Sequence, residues 1–270
     1  WRPMPVADFA AEWFESAPMR AAIAGGGVFG AFLGPRSAGS AAIFLLLASR
    51  GDQPMSAGWT ARGGIGAVSE ALAAAARHAG AEIRTGAEVR QIVVNDDEAQ
   101  GVVLTTGEDI RARRVVSNAD PRRTLLGLVD PVHLPPDFLH AVQHIRMRGA
   151  LSKVNFAVAA LPRFHGLGDL DPQRQAAALS GWIRLALDVD AIERAFDSAK
   201  LGRVPDEPWL ELAIPSLADP ALAPSGQHVV SANVCYAPFE PAGGWSAGRD
   251  AFAKSVIDTL AWFAPEIRET

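Results

Sequence analysis

Between residues 62 and 80 the apolar side chains of Ile65, Val68, Leu72, Ala75, Ala76 and Ala79 recur at about the 3.6-residue period of one helix face. This predicts a helix, with Gly80 as its left-handed C-terminal residue. The period then changes. "AEIRTG" and "AEVRQIVVND" read as a short and a longer strand, "AQGVVLTTG" pairs back across Asp96 and Asp97, and "EDIRARRVVSNA" returns through the Thr106-Gly107 turn. The result is a β-meander whose last apolar strand stops at Asn118-Ala119-Asp120-Pro121. Pro121 suits the first position of a helix, and Asp120 its cap.

After residue 150 the strand pattern dominates. "SKVNFAVAAL", "GWIRLAL", "PWLELAIPS" and "HVVSANVCYA" are short strands separated by turn residues, whereas "DVDAIERAFDSAK" and "AGRDAFAKSVIDTLAWF" are amphipathic helices. They predict an α+β layer, a sheet with helices on one side. Before residue 60 the pattern is helical: Phe9, Trp13 and Phe14 share a face, Pro18 ends that helix before an Ala-rich second one, and "GSAAIFLLLAS" favours a buried helix. Between these lies "IAGGGVFGAF", with Gly25, Gly27 and Gly30 in the spacing G-x-G-x-x-G. That fingerprint binds a dinucleotide only when it links a buried strand to a helix N-terminus. Two readings stand here: a glycine-rich loop between helices, or a nicotinamide-binding turn followed by a strand ending near Asp52.

Composition narrows the classes. The 270 residues are 49% hydrophobic, enough for a large core in one or two domains. A net charge of −5 with interspersed signs gives no basic stripe for nucleic acid, which is not an expected partner. No segment suits a bilayer span or a signal peptide, so association with a membrane surface is not indicated. The single cysteine, Cys235, excludes an internal disulfide and a cysteine cluster and reads as a core residue. The six histidines lack ligand spacing; His140 and His144 are i, i+4 on a helix without a nearby acidic third ligand, so no metal site is expected.

Several segments taken together carry a resemblance: "RGG" before the first helix described, "GAEIRTGAEVRQI", the "GVVL" strand, "VVSNADP", and "SKVNFAVAALPRF" further on. The chain resembles the phytoene-desaturase-like FAD-dependent oxidoreductases within the flavin amine oxidase superfamily, closely over residues 1 to 165 and loosely beyond. The resemblance implies an α/β plus α+β fold: part of an FAD-binding, Rossmann-like domain of the glutathione-reductase type with its β-meander, and a substrate domain of mixed sheet with helices. It divides the chain into a helical substrate-side region (1–57), part of the FAD domain (58–125) and the substrate domain (126–270). Members carry their dinucleotide loop well upstream of the segment matching Trp1, so the chain is expected to be an internal portion of a larger enzyme, without the pyrophosphate loop. On that reading "GGGVFG" is a decoy.

The resemblance also assigns expected roles. Val89 offers its backbone N–H and C=O to the adenine edge, Asn118 and Ala119 end a strand beside the cofactor, and Arg62, Gly63 and Gly64 bring a helix N-terminus to an anion or a flavin edge. On the substrate side Ser152, Lys153 and Asn155 belong to a wall strand, with alternation deciding which of them face the cavity. FAD is the expected cofactor, a small apolar molecule the substrate, hydride transfer to flavin the reaction, and the cytoplasm the compartment of a bacterial-type protein. Glu211 and Asp120 are available as general bases, but nothing in the sequence places them in a pocket, so no catalytic residue is assigned. Without the cofactor the same fold would be a binding or scaffold module.

Overall fold

A computed structural model describes residues 3–49 and 61–269, and of its first three helices the second begins at a side-chain cap. α1 (Val6–Trp13) follows Pro5. α2 (Ala17–Val28) is capped by Ser16, whose hydroxyl accepts the Met19 N–H, with Pro18 in the first turn where its missing donor costs nothing. α3 (Ser40–Ala48) buries Ser40 and Ala41 but leaves Leu45 and Leu46 exposed, so it is less buried than its composition suggests. Asp52 lies outside the described residues.

The fingerprint does not form a dinucleotide turn, and of its glycines only Gly30, with φ 71°, lies in the turn after a helix. Gly25, Gly26 and Gly27 lie inside α2. A Cβ at Gly25 would stand 2.5 Å from Trp209 Cζ2, and one at Gly27 would stand 2.8 Å from Val6 Cγ2. The absent side chains therefore admit an indole ring and the neighbouring helix to the surface of α2. Helix propensity, which disfavours glycine by about 1 kcal/mol per residue, is overridden by this close packing.

The chain forms two compact units, Trp1–Glu70 with Arg148–Thr270, and Ala71–Met147. In the first unit, β4 (Leu151–Val158), β5 (Ile183–Leu185), β6 (Trp209–Ala213) and β7 (His228–Cys235) form an antiparallel sheet in the order β4-β7-β6-β5. Between the strands come α6 (Pro172–Leu179), α7 (Val189–Lys200) and the single turn α8 (Pro215–Ala218), and α9 (Trp245–Phe263) follows β7. Leu210, Leu212, Val230, Ala232 and Val234 cluster with Phe252, Val256 and Leu260 of α9. Burying a side chain of this size contributes roughly 1.5–3 kcal/mol.

The helices are not confined to one side. Trp209 alternates away from Leu210, and with Cys235 and Tyr236 it joins a second cluster built from α1, α2, α3 and α7. Tyr236 donates its hydroxyl to the Leu33 carbonyl at 2.7 Å, tying the end of β7 to the loop after α2.

In the second unit the meander forms as expected over β1 (Val89–Asn95), β2 (Glu98–Leu104) and β3 (Asp109–Arg111), in that order and antiparallel. Asp96 and Asp97, with φ of 49° and 60°, make the two-residue turn. α5 (Pro136–Gln143) completes this unit. The helix α4 (Ile65–His78) ends at Gly80 with φ 88°, as predicted, but none of its residues is buried, and Ile65 and Leu72 are 82% and 66% exposed.

One expected strand, at 81–86, does not form, and the last strand of the meander stops at Arg111: 112–118 continues without a ladder, with the Ala112 N–H still donating to the Gln100 carbonyl of β2, because an extended segment becomes a strand only where a neighbour keeps pairing with its peptide groups. All strand pairs described are antiparallel, so the parallel, Rossmann-like part of the expected fold is not represented among the described residues.

Two alanine substitutions separate packing from propensity. Gly25→Ala should destabilise the protein by about 1–3 kcal/mol through the clash with Trp209. Gly66→Ala, in α4 with nothing within 4 Å of the new Cβ, should be neutral or stabilise by up to about 1 kcal/mol. Urea unfolding of both variants gives the comparison.

Candidate functional site

In the second unit, three of the expected cofactor residues meet. Val89, Asn118 and Ala119 line one open pocket of about 400 Å³, with Ile92, Val102, Val115 and Leu128 among its apolar walls. Val89 starts β1, an edge strand of the three-stranded sheet, and one side of such a strand keeps peptide groups free for a ligand. Asn118 and Ala119 sit on a braced turn. The Ser117 hydroxyl accepts the Ala119 N–H at 3.3 Å and lies 2.8 Å from Thr124 Oγ1, and Asp120 accepts the Arg123 N–H at 2.9 Å. Asp120 is thus the predicted helix cap and is engaged in that role. Arg123 closes the rim with a 3.6 Å ion pair to Glu88, exposed on both sides and worth under about 1 kcal/mol.

The residues of this pocket fit the adenine side of a dinucleotide: an apolar slot, an edge strand to read a base through main-chain atoms, and a fixed turn beside it. A pyrophosphate cradle is not among the described residues, since Gly25 and Gly27 are packed inside α2.

Arg62, Gly63 and Gly64 belong to the first unit. Gly63 and Gly64 have φ of 80° and 81°, a conformation that requires glycine. Their N–H groups are already engaged: Gly63 donates to Asp219 Oδ2 at 2.5 Å and Gly64 to the Ala61 carbonyl at 3.0 Å. The anion at this turn is the protein's own carboxylate. Asp219, 9% exposed, also accepts the Ala221 N–H at 3.2 Å and lines a shallow pocket with Arg62. Asp219 was not among the residues expected at a site, although an Asp before Pro220 is a cap signal.

The substrate-side strand resolves by alternation. Lys153 and Asn155 are exposed on the sheet face opposite α9, whereas Ser152 points the other way and is half-buried beside Val154 and Phe156. Register sets Lys153 beside Asn233, Asn233 beside Glu211, and Glu211 beside Arg184, a polar row across four strands. Asn155 Oδ1 accepts the Ser231 hydroxyl at 2.7 Å one pair further along. Glu211, 4% exposed, accepts from Arg184 Nε at 2.8 Å. A carboxylate committed to a guanidinium at that distance is an anchor rather than a free base. Burial, followed by the charge of Glu211, pushes the Cys235 thiol well above its ordinary value, so Cys235 is an unreactive core group.

Among the described residues no three His, Cys, Asp or Glu side chains come together as metal ligands, and no helix is long and apolar enough to cross a membrane.

Comparison with known proteins fixes the relationship. The model of the flavin containing amine oxidoreductases matches residues 18–234. The chain belongs to this family. It is 35% identical over 98% of its length to pyridine nucleotide-disulfide oxidoreductase domain-containing protein 2 of Rattus norvegicus, and 34% identical to the Mus musculus protein of that name. The chain spans 47% of the length of each. A stretch of 74 residues, 27% of this chain and 14% of the other, is 42% identical to a hydroxyneurosporene desaturase of Rubrivivax gelatinosus. Among solved structures, a Pyrococcus furiosus protein superposes with a TM-score of 0.60 at 17% identity, over 98% of this chain and 55% of that one. An oxidoreductase from Methanosarcina mazei gives 0.51, also at 17% identity, over 74% and 39%. At such identity the likeness is one of fold, the fold of this flavin amine oxidoreductase family member.

The buried pair on the polar row has a measurable consequence. Arg184→Leu, which strands the Glu211 carboxylate, should cost about 3 kcal/mol, whereas Arg184→Leu combined with Glu211→Leu should recover most of that loss. Chemical denaturation of the single and double variants checks the sign of the recovery.

Proposed function

We propose that the chain supplies the adenine-side wall and the substrate-side sheet of an FAD-dependent oxidoreductase that takes hydride from an apolar substrate. The carrying observation is the meeting of Val89, Asn118 and Ala119 in one pocket beside an edge strand, in a chain of the flavin amine oxidoreductase family. The name of the matched desaturase supports dehydrogenation of an apolar molecule. FAD, when bound, would supply the acceptor for the hydride, which itself carries both electrons. The protein's own groups bind, orient and exclude water.

In this reading the edge of β1 at Val89 reads the adenine through main-chain atoms, and the braced turn at Asn118 and Ala119 fixes the position of the cofactor next to it. Lys153, Asn155, Asn233 and the Glu211–Arg184 pair form the polar part of the substrate wall. They would hold a polar end of a largely apolar substrate and keep it in one orientation. A fixed wall of this kind acts by positioning, which suits a chemistry carried by the cofactor. The curated relatives are about twice as long as this chain, and the phosphate-binding part of the site is proposed to come from sequence outside it.

A second reading, a binding or scaffold module without cofactor, is favoured by one observation: Gly25 and Gly27 of the fingerprint are helix interior, which leaves the described residues without a phosphate cradle.

Absorbance separates the two. The enzyme reading requires that a protein containing this chain at its relatives' full length purifies with, or can be reconstituted with, non-covalent FAD. A colourless protein with no flavin spectrum after reconstitution supports the module instead. Val89→Ile should leave flavin affinity within about twofold, while Val89→Pro, which deletes the peptide N–H, should weaken it at least tenfold with the fold intact. Equal affinity in both variants would show that no backbone contact is made there. The 270 residues alone should bind FAD more weakly than micromolar in a calorimetric titration, since Gly25 and Gly27 are packed inside α2 and the Gly63 N–H is taken by Asp219, so neither glycine segment is open to the dinucleotide's two negative charges.

A further inference from the structure

The first unit holds a second cavity that none of the residues assigned above lines. It measures about 290 Å³ and opens between the start of α7, the end of β5 at Leu185, the start of β6 at Trp209, and the C-terminal end of α9. That size lies at the lower edge of small-molecule sites, which run from roughly 300 to 1,000 Å³. Its walls are apolar and aromatic: Leu185, Ile192, Trp209 and Trp262. Trp262 is 68% exposed, an indole left in solvent at the mouth.

The rim carries three carboxylates, from Asp206, Glu207 and Asp258. Two are engaged by cations of the protein itself. Asp258 pairs with Lys254 and, at 2.6 Å, with Arg268, and Glu207 lies 3.9 Å from Arg194. Asp206 has no ion pair among the described residues. Two lining residues also hold unpaired polar atoms: Thr259 Oγ1, which can accept from a cation, and Trp209 Nε1, a donor whose ring edge packs against Gly25 of α2. Among the described residues these are the buried side-chain polar atoms without a hydrogen-bond partner. Unpaired buried polar atoms are rare in native proteins and commonly mark the place of a water or a ligand.

We infer that this cavity binds a small organic cation, an apolar body about the size of a six-membered ring carrying one ammonium group. The apolar body fills the space between Leu185, Ile192 and Trp209. The ammonium sits at the mouth, over the face of Trp262 and beside the unpaired carboxylate of Asp206. An indole is the best aromatic partner for a cation, and the attraction strengthens as water is excluded. A neutral molecule of the same shape would gain the apolar contacts but not these two, and an anion would meet a rim of carboxylates.

The inference does not rest on the flavin reading and can be tested on cofactor-free protein. Cyclohexylammonium and cyclohexanol serve as the charged and neutral probes, followed by tryptophan fluorescence and calorimetry. Cyclohexylammonium should bind one-to-one at millimolar concentration or tighter and alter the tryptophan emission, with cyclohexanol at least fivefold weaker. Asp206→Asn should weaken the ammonium about fivefold and leave the alcohol unchanged, and Trp262→Ala should weaken both. Both residues are exposed, so thermal melts of the variants should match the parent and keep the result interpretable. Absence of saturable ammonium binding, equal affinity for the two probes, or unchanged binding in Trp262→Ala would overturn the assignment.

Discussion

The contact on which the first unit depends is that of the Trp209 indole with the bare backbone of α2. Trp209 is 2% exposed and stands at the head of β6. Its ring lies where the side chain of Gly25 would otherwise be, and its edge-to-face partner is Phe29, 6.0 Å away between centroids. Through this ring the N-terminal helices are joined to a sheet almost two hundred residues later in sequence. α1 reaches α2 by the same device, with Val6 against Gly27. Any side chain at Gly25 would push helix and strand apart, and the dispersion attraction forfeited across such a gap is not recovered elsewhere.

Because Trp209 belongs to one face of β6, alternation sends Leu210 and Leu212 to the other, where α9 covers them. Glu211 then returns to the face of Trp209, next to Arg184 and in register with Asn233 and Lys153. The polar row is therefore a consequence of the core on its far side. A one-residue slip of β6 would bury charges beneath α9 and expose the leucines, so the register is strongly held.

How much of this was legible follows from which interactions are local. The meander was readable because its turns are local chemistry: Asp96 and Asp97 adopt left-handed conformations, and Asp120 caps the turn that follows. The strands β4 to β7 were readable from period-two patterning. The helical placement of Gly25 to Gly27 was not, because the reason for glycine there is a tryptophan far away in sequence. The engagement of Gly63 by Asp219 was hidden in the same way, being a contact across 156 positions. The segments at 81–86 and 112–118 have strand composition but no ladder, since a strand is completed by its neighbour and not by its own residues. Val116, 95% exposed, shows an apolar side chain waiting for cover.

The proposed site of flavin recognition is the pocket that joins Val89 to Asn118 and Ala119, and amide hydrogen exchange reads those backbone groups directly. Exchange would be compared with and without FAD in a protein that contains this chain at the full length of its relatives. A cofactor seated there predicts slower exchange on flavin binding in the peptides covering residues 88–92 and 115–119. Unchanged exchange in both segments, with flavin demonstrably bound, would contradict it.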